Sequence, residues 1–558
     1  LTRPTKRLEQ SAAPAHGPRH DSAEAGLTAY ASSAREGRLE ALAGAVILSW
    51  GWPRRLVALA AGATGALALP PFGFAPAMIL PMTAAVWLLD GAAGTTRLAS
   101  LRAAFADGWW WGFGYFLAGL WWLGAAFLVD ADQFLWAMPL GVIGLPLFLA
   151  LFPALGFALA RAIWSPGPGR IFALGVGLSA SEFLRANVLT GFPWNEYGMA
   201  LGQNLWTAQI AAWIGLHGLT LLTVILAAAP ATLKMRPVVT AVLATAALTA
   251  FGAWRSDLPA PAPVAGVKLR LVQPNVPQGP GFSAENGPAI LGGYMKLSDR
   301  ATSPDRSGVG DVTHLFWPES AFPFILSRDA TALARLVDFL RGGTVLATGA
   351  ASQEGEGPTA RYFNSIEVLD HSGLSAARYD KRRLVPFGEY LPLRSLFDRL
   401  GVTQFVHMPG GFEPGSGTPE LSIRGLPDAL AMVCYEAIFP NEGRVRAGET
   451  ANVGYILNLT DDGWFGRTAG PYQHFAQARL RAVELGLPML RVANTGISAL
   501  IDARGRILDQ TSLGVEAIID GGLPGALPPT WQAHWGAASF AALWALALLA
   551  AGRAMRRR

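Results

Sequence analysis

Apolar residues are unevenly distributed along this chain. They crowd into roughly the first 255 positions and a last stretch near 531–551, leaving a segment of ordinary mixed composition between. A helix needs about 20 mostly apolar residues to cross the hydrocarbon core of a bilayer, and the crowded regions supply such windows repeatedly. The pattern predicts two regions, one embedded in lipid and one in water. Composition agrees: 51% of residues are hydrophobic, 15% are charged and 19 of 558 are Trp, more apolar and aromatic than a soluble protein of this length.

Eight windows read as spans: about 55–70, 74–90, 103–129, 134–160, 171–187, 206–230, 237–254 and 531–551. The first two are short, and the prolines of LPPFGFAP between them break a continuous helix, so a tight helical pair is expected. The apolar patch at 41–51 either lengthens the first span or lies on the membrane surface. Basic residues in short connections stay on the cytoplasmic side. Arg54 and Arg55, Arg97 and Arg102, Arg161 and Arg170, and Lys234 and Arg236 mark alternate connections, whereas LPPFGFAP and VDADQF carry no Lys or Arg. Both termini are therefore expected inside and the segment after the seventh span outside. The net charge of +5 follows from this topology and implies no nucleic-acid partner. Residues 1–40, polar and rich in Pro, Ala and Ser, lack the apolar core of a signal peptide and are expected to form a disordered cytoplasmic tail; residues 552–558, GRAMRRR, read as a basic cytoplasmic tail. The leading Leu1 fits an alternative start codon or a trimmed chain. No ionisable residue is read as buried mid-span in the manner of a transport pathway.

Residues 41–255 thus form a seven-span membrane domain, 265–525 an extracytoplasmic domain and 531–551 an eighth span. In the middle domain the short runs VKLRLVQPN, THLFWPES, TVLATGAA, NSIEVLD, LAMVCYE, YILNLTDD and ISALIDARGRIL read as strands. They alternate with helical stretches such as DATALARLVDFLRG and PYQHFAQARLRAVELG, the pattern of a layered α/β domain. Metal-ligand spacing, a P-loop and dinucleotide-type glycine runs are absent from the domain, so neither a metal nor a nucleotide cofactor is implied.

Cys434 is the only cysteine. A free cysteine at a strand end is commonly a small buried hydrophobe, but an unpaired thiol outside the cytoplasm also suggests reactivity. HLFWPES runs an apolar strand into Glu319, LAMVCYE runs one into Cys434, and RYDKRRLVPFGEY offers Lys381 beside a turn. Gathered at one end of a sheet, these residues make an acyl-transfer site. A carboxylate takes the thiol proton, the thiolate attacks a carbonyl, and a cation steadies the tetrahedral oxyanion.

At these stretches the sequence resembles the nitrilase superfamily, whose members carry a Glu, Lys and Cys set on an αββα sandwich. The match is closer to its membrane branch, the apolipoprotein N-acyltransferase family. YDKRRLVPFGEYLP is similar to that family's lysine loop, VCYEAIFP to its nucleophile strand and TDDGWFGRTAGPYQHFAQARLRAVELGLPMLRVANTGISALI to its downstream segment, while SEFLRANVLTGFPWNEYG resembles its loop after the fifth span. The resemblance implies Cys434 as nucleophile, Glu319 as general base and Lys381 as stabiliser of the tetrahedral intermediate. It implies Glu389, Tyr435 and Glu436 as supporting residues, with His474 and Arg479 also supporting rather than catalytic. Trp194 and Trp464 would bind lipid and lipoprotein, or anchor at the headgroup level. VQPNVPQGPGFSAENG lacks the Trp expected as an aromatic lipid contact, and Phe282 would substitute. The resemblance further implies no cofactor, a phospholipid acyl donor, a diacylglyceryl-lipoprotein acceptor and a bacterial inner membrane location with the catalytic domain periplasmic. A membrane-tethered amidase of nitrilase type, and a catalytically dead scaffold or transporter, are the alternatives.

Overall fold

The computed structural model describes residues 37–340, 342–399, 404–405, 410–440 and 453–556. Five helices among them are long and apolar enough to cross a bilayer: Arg97–Val129, Ala131–Ala162, Ala211–Thr232, Met235–Asp257 and Ala537–Met555. The other expected spans are helical but fall short. Gly51–Thr64 has 14 residues, Ala75–Gly91 is a shorter apolar helix, and Arg170–Asn187 has 18 residues but includes Arg170, Glu182 and Arg185. Residues 37–40, expected in the tail, begin a helix over 37–47. Gly51, at φ +62, separates that helix from the next, so the patch at 41–51 does not lengthen the first span. Positions 1–36 and 557–558 lie outside the described residues.

Several ionisable groups are nevertheless buried, in pairs, among the membrane helices and their connections. Arg54 and Asp107 form a bidentate pair, Nε to Oδ1 at 2.8 Å and Nη2 to Oδ2 at 2.7 Å, with side chains 11% and 8% exposed. Glu182 and Arg185 pair at i,i+3 with fully buried side chains, and His217 meets Glu196 at 3.0 Å. Each charge has a partner inside the bundle, the arrangement that permits burial. The polar contacts also separate the two ends of the bundle. Arg97 donates to the Ala162 carbonyl, Arg170 pairs with Asp90 and donates to the Ala231 carbonyl. Pro70, Gly119, Trp122, Gly191 and Asn195 instead meet residues of the α/β domain.

That domain holds two six-stranded sheets. One comprises β1 (Leu269–Gln273), β2 (His314–Phe316), β3 (Val345–Glu354), β4 (Arg361–Asp370), β5 (Gly373–Asp380) and β12 (Ala517–Gly521), in the order β12-β1-β2-β3-β4-β5. The other comprises β6 (Glu420–Leu421), β7 (Asp428–Val433), β8 (Val453–Thr460), β9 (Met489–Ala493), β10 (Ala499–Ile501) and β11 (Ile507–Gln510), in the order β11-β10-β9-β8-β7-β6. Strand residues alternate between two cores, as a period of two requires. Leu269, Leu271, Phe316, Ala347, Ile366 and Val368 face Ala429, Ala431, Val433, Leu457 and Val492 between the sheets. Val272, Leu315 and Leu346 turn outward onto helices Gly287–Ser298 and Ala330–Phe339. Leu430, Met432, Ile456 and Met489 turn outward onto helix Gly470–Leu485. The layers therefore run helix, sheet, sheet, helix. Strands β1, β2 and β3 are mutually parallel, as are β7, β8 and β9.

Removing one member of a buried ion pair leaves the other charge uncompensated. Asp107→Asn is expected to cost about 3 kcal/mol, read as a lower thermal midpoint of the detergent-solubilised full chain. An unchanged midpoint would show that the pair is not a stabilising contact.

Candidate active site

Glu319, Lys381 and Cys434 each follow the carboxyl end of a strand, β2, β5 and β7 respectively. In layered α/β folds such ends gather functional groups. Glu319 sits in a turn that lies against β3. A Cβ at Gly349 would stand 2.5 Å from the Glu319 Cα and 2.6 Å from the Pro318 carbonyl oxygen, so only glycine permits that approach.

The Lys381 side chain is 1% exposed. Its Nζ donates to Glu389 Oε1 at 3.0 Å and to Glu319 Oε1 at 3.3 Å. Asn364 on β4 reinforces the set, its Nδ2 donating to both of those oxygens at 2.8 Å. The remaining carboxylate oxygens are filled as well: Glu319 Oε2 accepts from the Asp461 amide and Glu389 Oε2 from the Val385 amide, each at 2.8 Å. Burial alone would strip the ammonium of its proton, but Glu389 and Glu319 hold its pKa above the ordinary lysine range.

Cys434 opens a tight turn, Cys434–Ile438, at φ +48. For a residue other than glycine this left-handed backbone costs roughly 1–3 kcal/mol and persists only where the surroundings enforce it. Three hydrogen bonds do so. The Val433 amide donates to Glu436 Oε2 at 2.7 Å, Asn458 Nδ2 donates to the Met432 carbonyl at 2.9 Å, and His474 Nε2 lies 3.0 Å from the Cys434 carbonyl oxygen. Glu436 Oε1 also accepts from the Tyr379 hydroxyl at 2.8 Å and from the Arg382 and Arg383 amides at 2.8 and 3.1 Å, which ties the Cys434 turn to the lysine loop. Burial pushes the Glu436 carboxyl up to about 7 against these donors. Burial, and next the Glu319 charge, push the Cys434 thiol well above its ordinary value, while Lys381 and a hydrogen bond from the Thr460 side chain oppose them. The Glu319 carboxylate and the Lys381 ammonium thus act electrostatically, in opposite senses, on the buried Cys434 sulfur.

The other sequence-read residues are placed as follows. Glu389 belongs to the lysine cluster and Glu436 buttresses the Cys434 turn. Tyr435 donates to the Gly191 carbonyl at 2.8 Å, docking the turn on the membrane region. Trp194 is 2% exposed, so it is neither a headgroup anchor nor open to lipid. Its indole N–H donates to Gln473 Oε1 at 3.0 Å and its ring lies 5.3 Å from that of His474. Trp464 is half-buried and meets Phe405, which packs on Phe127 and Phe134 of the membrane region. Phe282 is half-buried in the loop after β1, which reaches the membrane region where Gly279 approaches Val129. Arg479 donates to the Gln203 carbonyl, a docking contact.

Sequence reading missed Asn364, Asp461, Asp462 and Arg491. Asp462 lies between His474 and Arg491, with Oδ1 2.7 Å from His474 Nδ1 and Oδ2 2.8 Å from Arg491 Nη2. Burial would raise its carboxyl, but Arg491 and His474 hold it down to about 2. Two adjacent acids after the apolar strand YILNLT were the available signal. Among the described residues no cluster of His, Cys, Asp or Glu is suited to a metal ion.

Comparison with known proteins gives two family matches: residues 61–229 match the apolipoprotein N-acyltransferase N-terminal domain and residues 311–525 match carbon-nitrogen hydrolase. Similar relatives include the apolipoprotein N-acyltransferase of Rhodopseudomonas palustris, 47% identical over 92% of this chain and 98% of that protein. That of Bradyrhizobium diazoefficiens is 49% identical over the same shares. That of Rhizobium etli is 46% identical over 86% of this chain and 92% of its own.

Burial, with the Glu319 and Asp462 charges, pushes the Asp461 carboxyl up to about 7 against hydrogen bonds from Gly463 and Asn494. Its folded-state pKa lies above the unfolded value, so the stability of its protonated form is complete below about pH 4 and lost as pH rises through about 7. Asp461→Asn should therefore flatten the fall in thermal midpoint between about pH 5 and 7.5. Parallel pH curves for the two proteins would contradict the assignment.

Proposed function

This chain belongs to the apolipoprotein N-acyltransferase family, and from that premise we propose a two-step acyl exchange through Cys434. Glu319 takes the Sγ proton as the sulfur attacks an ester carbonyl of a phospholipid, and Lys381 faces the oxyanion. Collapse breaks the ester C–O bond, Glu319 returns the proton to the leaving lysophospholipid, and a thioester remains. The free α-amine of a lipoprotein's diacylglyceryl-cysteine then attacks the thioester. Glu319 takes the amine proton, the C–S bond breaks, an amide forms and the thiol is regenerated. The observation that carries this reading is the Lys381 ammonium held between Glu319 and Glu389 beside the buried thiol. Because burial keeps the sulfur protonated at rest, the base acts during attack.

Both substrates are lipid-anchored, which accounts for a catalytic domain seated on a membrane bundle. In this reading the chain crosses the bilayer eight times. Residues 41–255 form the membrane domain, 265–525 the periplasmic catalytic domain and 531–551 the last span, with residues 1–40 and 552–558 cytoplasmic in a bacterial inner membrane. The meeting of Arg97 and Arg170 with the 90, 162 and 231 connections, at the end away from the α/β domain, supports that orientation. Trp464, linked through Phe405 to Phe127 and Phe134, and Phe282, in the loop whose Gly279 approaches Val129, are assigned to acyl-chain contact.

Incubation of the full chain with phospholipid should add one acyl chain at Cys434 by intact mass and peptide mapping. Cys434→Ala and Glu319→Gln should each lower acylation by at least about a thousandfold, the scale lost with a nucleophile or its base; Cys434→Ala should leave the thermal midpoint in place, whereas Glu319→Gln, which takes a carboxylate from the buried Lys381 ammonium, should lower it. Wild-type turnover in Cys434→Ala would overturn the reading.

A further inference from the structure

His474 stands between two groups that can only accept hydrogen bonds. The Asp462 carboxylate is 2.7 Å from Nδ1 and the Cys434 carbonyl is 3.0 Å from Nε2. A neutral imidazole carries one N–H and can donate to only one of them; the imidazolium donates to both. We infer that His474 is held as an imidazolium and is a positioning residue for the nucleophile. It clamps the Cys434 carbonyl in the strained turn and adds a positive charge to the group that includes Asp462, whose own charge acts on the thiol. This rests on Cys434 being the acylated residue.

The charges around the sulfur show why a second cation matters. Lys381 with ionised Glu319 and Glu389 sums to one negative charge, which opposes a thiolate. Asp462 and Arg491 cancel, so protonating His474 leaves the Asp462–His474–Arg491 group net positive against the net negative charge of the lysine cluster. The groups facing the imidazole come from four elements. Asp462 and the Phe465 ring, 5.9 Å away, come from the turn after β8. Arg491 Nη2, on β9, is 3.3 Å from Nδ1 and opposes the second proton, but it shares Asp462 with the histidine. Cys434 comes from the end of β7. The Trp194 indole, from the membrane region, lies with its centroid 5.3 Å from the imidazole, within the range at which an aromatic face favours a cation.

The preceding residue extends the clamp. Gln473 Oε1 accepts from Trp122 Nε1, Trp194 Nε1 and Asn195 Nδ2, each at 3.0 Å. Two neighbours on one helix therefore grip the membrane helices and the nucleophile turn respectively.

The test is single-turnover thioester formation on the full chain in phospholipid–detergent micelles, followed by intact mass across pH, for wild type, His474→Gln and Cys434→Ala. In His474→Gln a neutral amide replaces the cation. Acylation is expected to slow by at least about tenfold and its pH midpoint to rise by about one unit. An unmoved midpoint overturns the inference, because a merely structural loss lowers the rate at every pH alike. Should His474→Gln not fold, nitrogen-15 NMR of histidine-labelled wild type decides: protons on both ring nitrogens of His474 at about pH 7 support the inference, and a bare ring nitrogen overturns it. Thioester formation in Cys434→Ala would instead refute the acyl-site reading, while the NMR result on His474 would stand by itself.

Discussion

An ammonium with 1% of its side chain exposed can exist only between carboxylates, and that constraint organises the α/β domain. A buried charge must be paired and its partners' remaining lone pairs filled. Lys381 has Glu319 on one side and Glu389 on the other, Asn364 bridges the two, and backbone amides occupy the outer oxygens. Those amides belong to Asp461, after β8, and Val385, in the lysine loop. Satisfying one buried cation thus fixes the relation of one sheet to the other. The glycines follow from the same crowding: Gly349 lets the Glu319 turn close on β3, and Gly411, at φ +78, would place a Cβ 2.6 Å from the Glu389 carbonyl oxygen.

The Cys434 turn is built on the opposite principle, local strain held by surrounding bonds. Its backbone is unfavourable for cysteine, and Glu436, Asn458 and His474 fix it from three elements. Tyr435 and Gln473 link the same region to Gly191 and to Trp122, Trp194 and Asn195 of the membrane part. The enzyme is therefore not a soluble catalyst on a tether. The positions of Cys434 and of the membrane helices are set by neighbouring residues of one helix, Gly470–Leu485.

Much of this was legible where a residue's type and its place on a strand coincide. Glu319, Lys381 and Cys434 close strands whose apolar runs stand out, and Glu389 lies eight residues beyond Lys381 in a loop with a distinctive pattern. The weaker strands were not legible. GLSAARYD lacks a β-branched residue and forms β5 through pairing with β4, and MLRVA follows so closely on a helix that its change of period is hidden. The Asp462–His474–Arg491 cluster spans 29 positions between its acid and its arginine, a separation with no periodic signature. Trp194 misled because aromatic residues in apolar proteins gather at headgroups, and only tertiary contact reveals its burial. The Glu182–Arg185 pair, at i,i+3 on one helix, did carry a signal that the apolar average of its span obscured.

The most direct measurement is a structure of the full chain trapped as its acyl-enzyme. The account predicts a thioester on Cys434 with its carbonyl oxygen about 3 Å from Lys381 Nζ and Glu319 still within hydrogen-bonding reach of the lysine. A thioester oxygen directed away from an ammonium still locked by both carboxylates would contradict it.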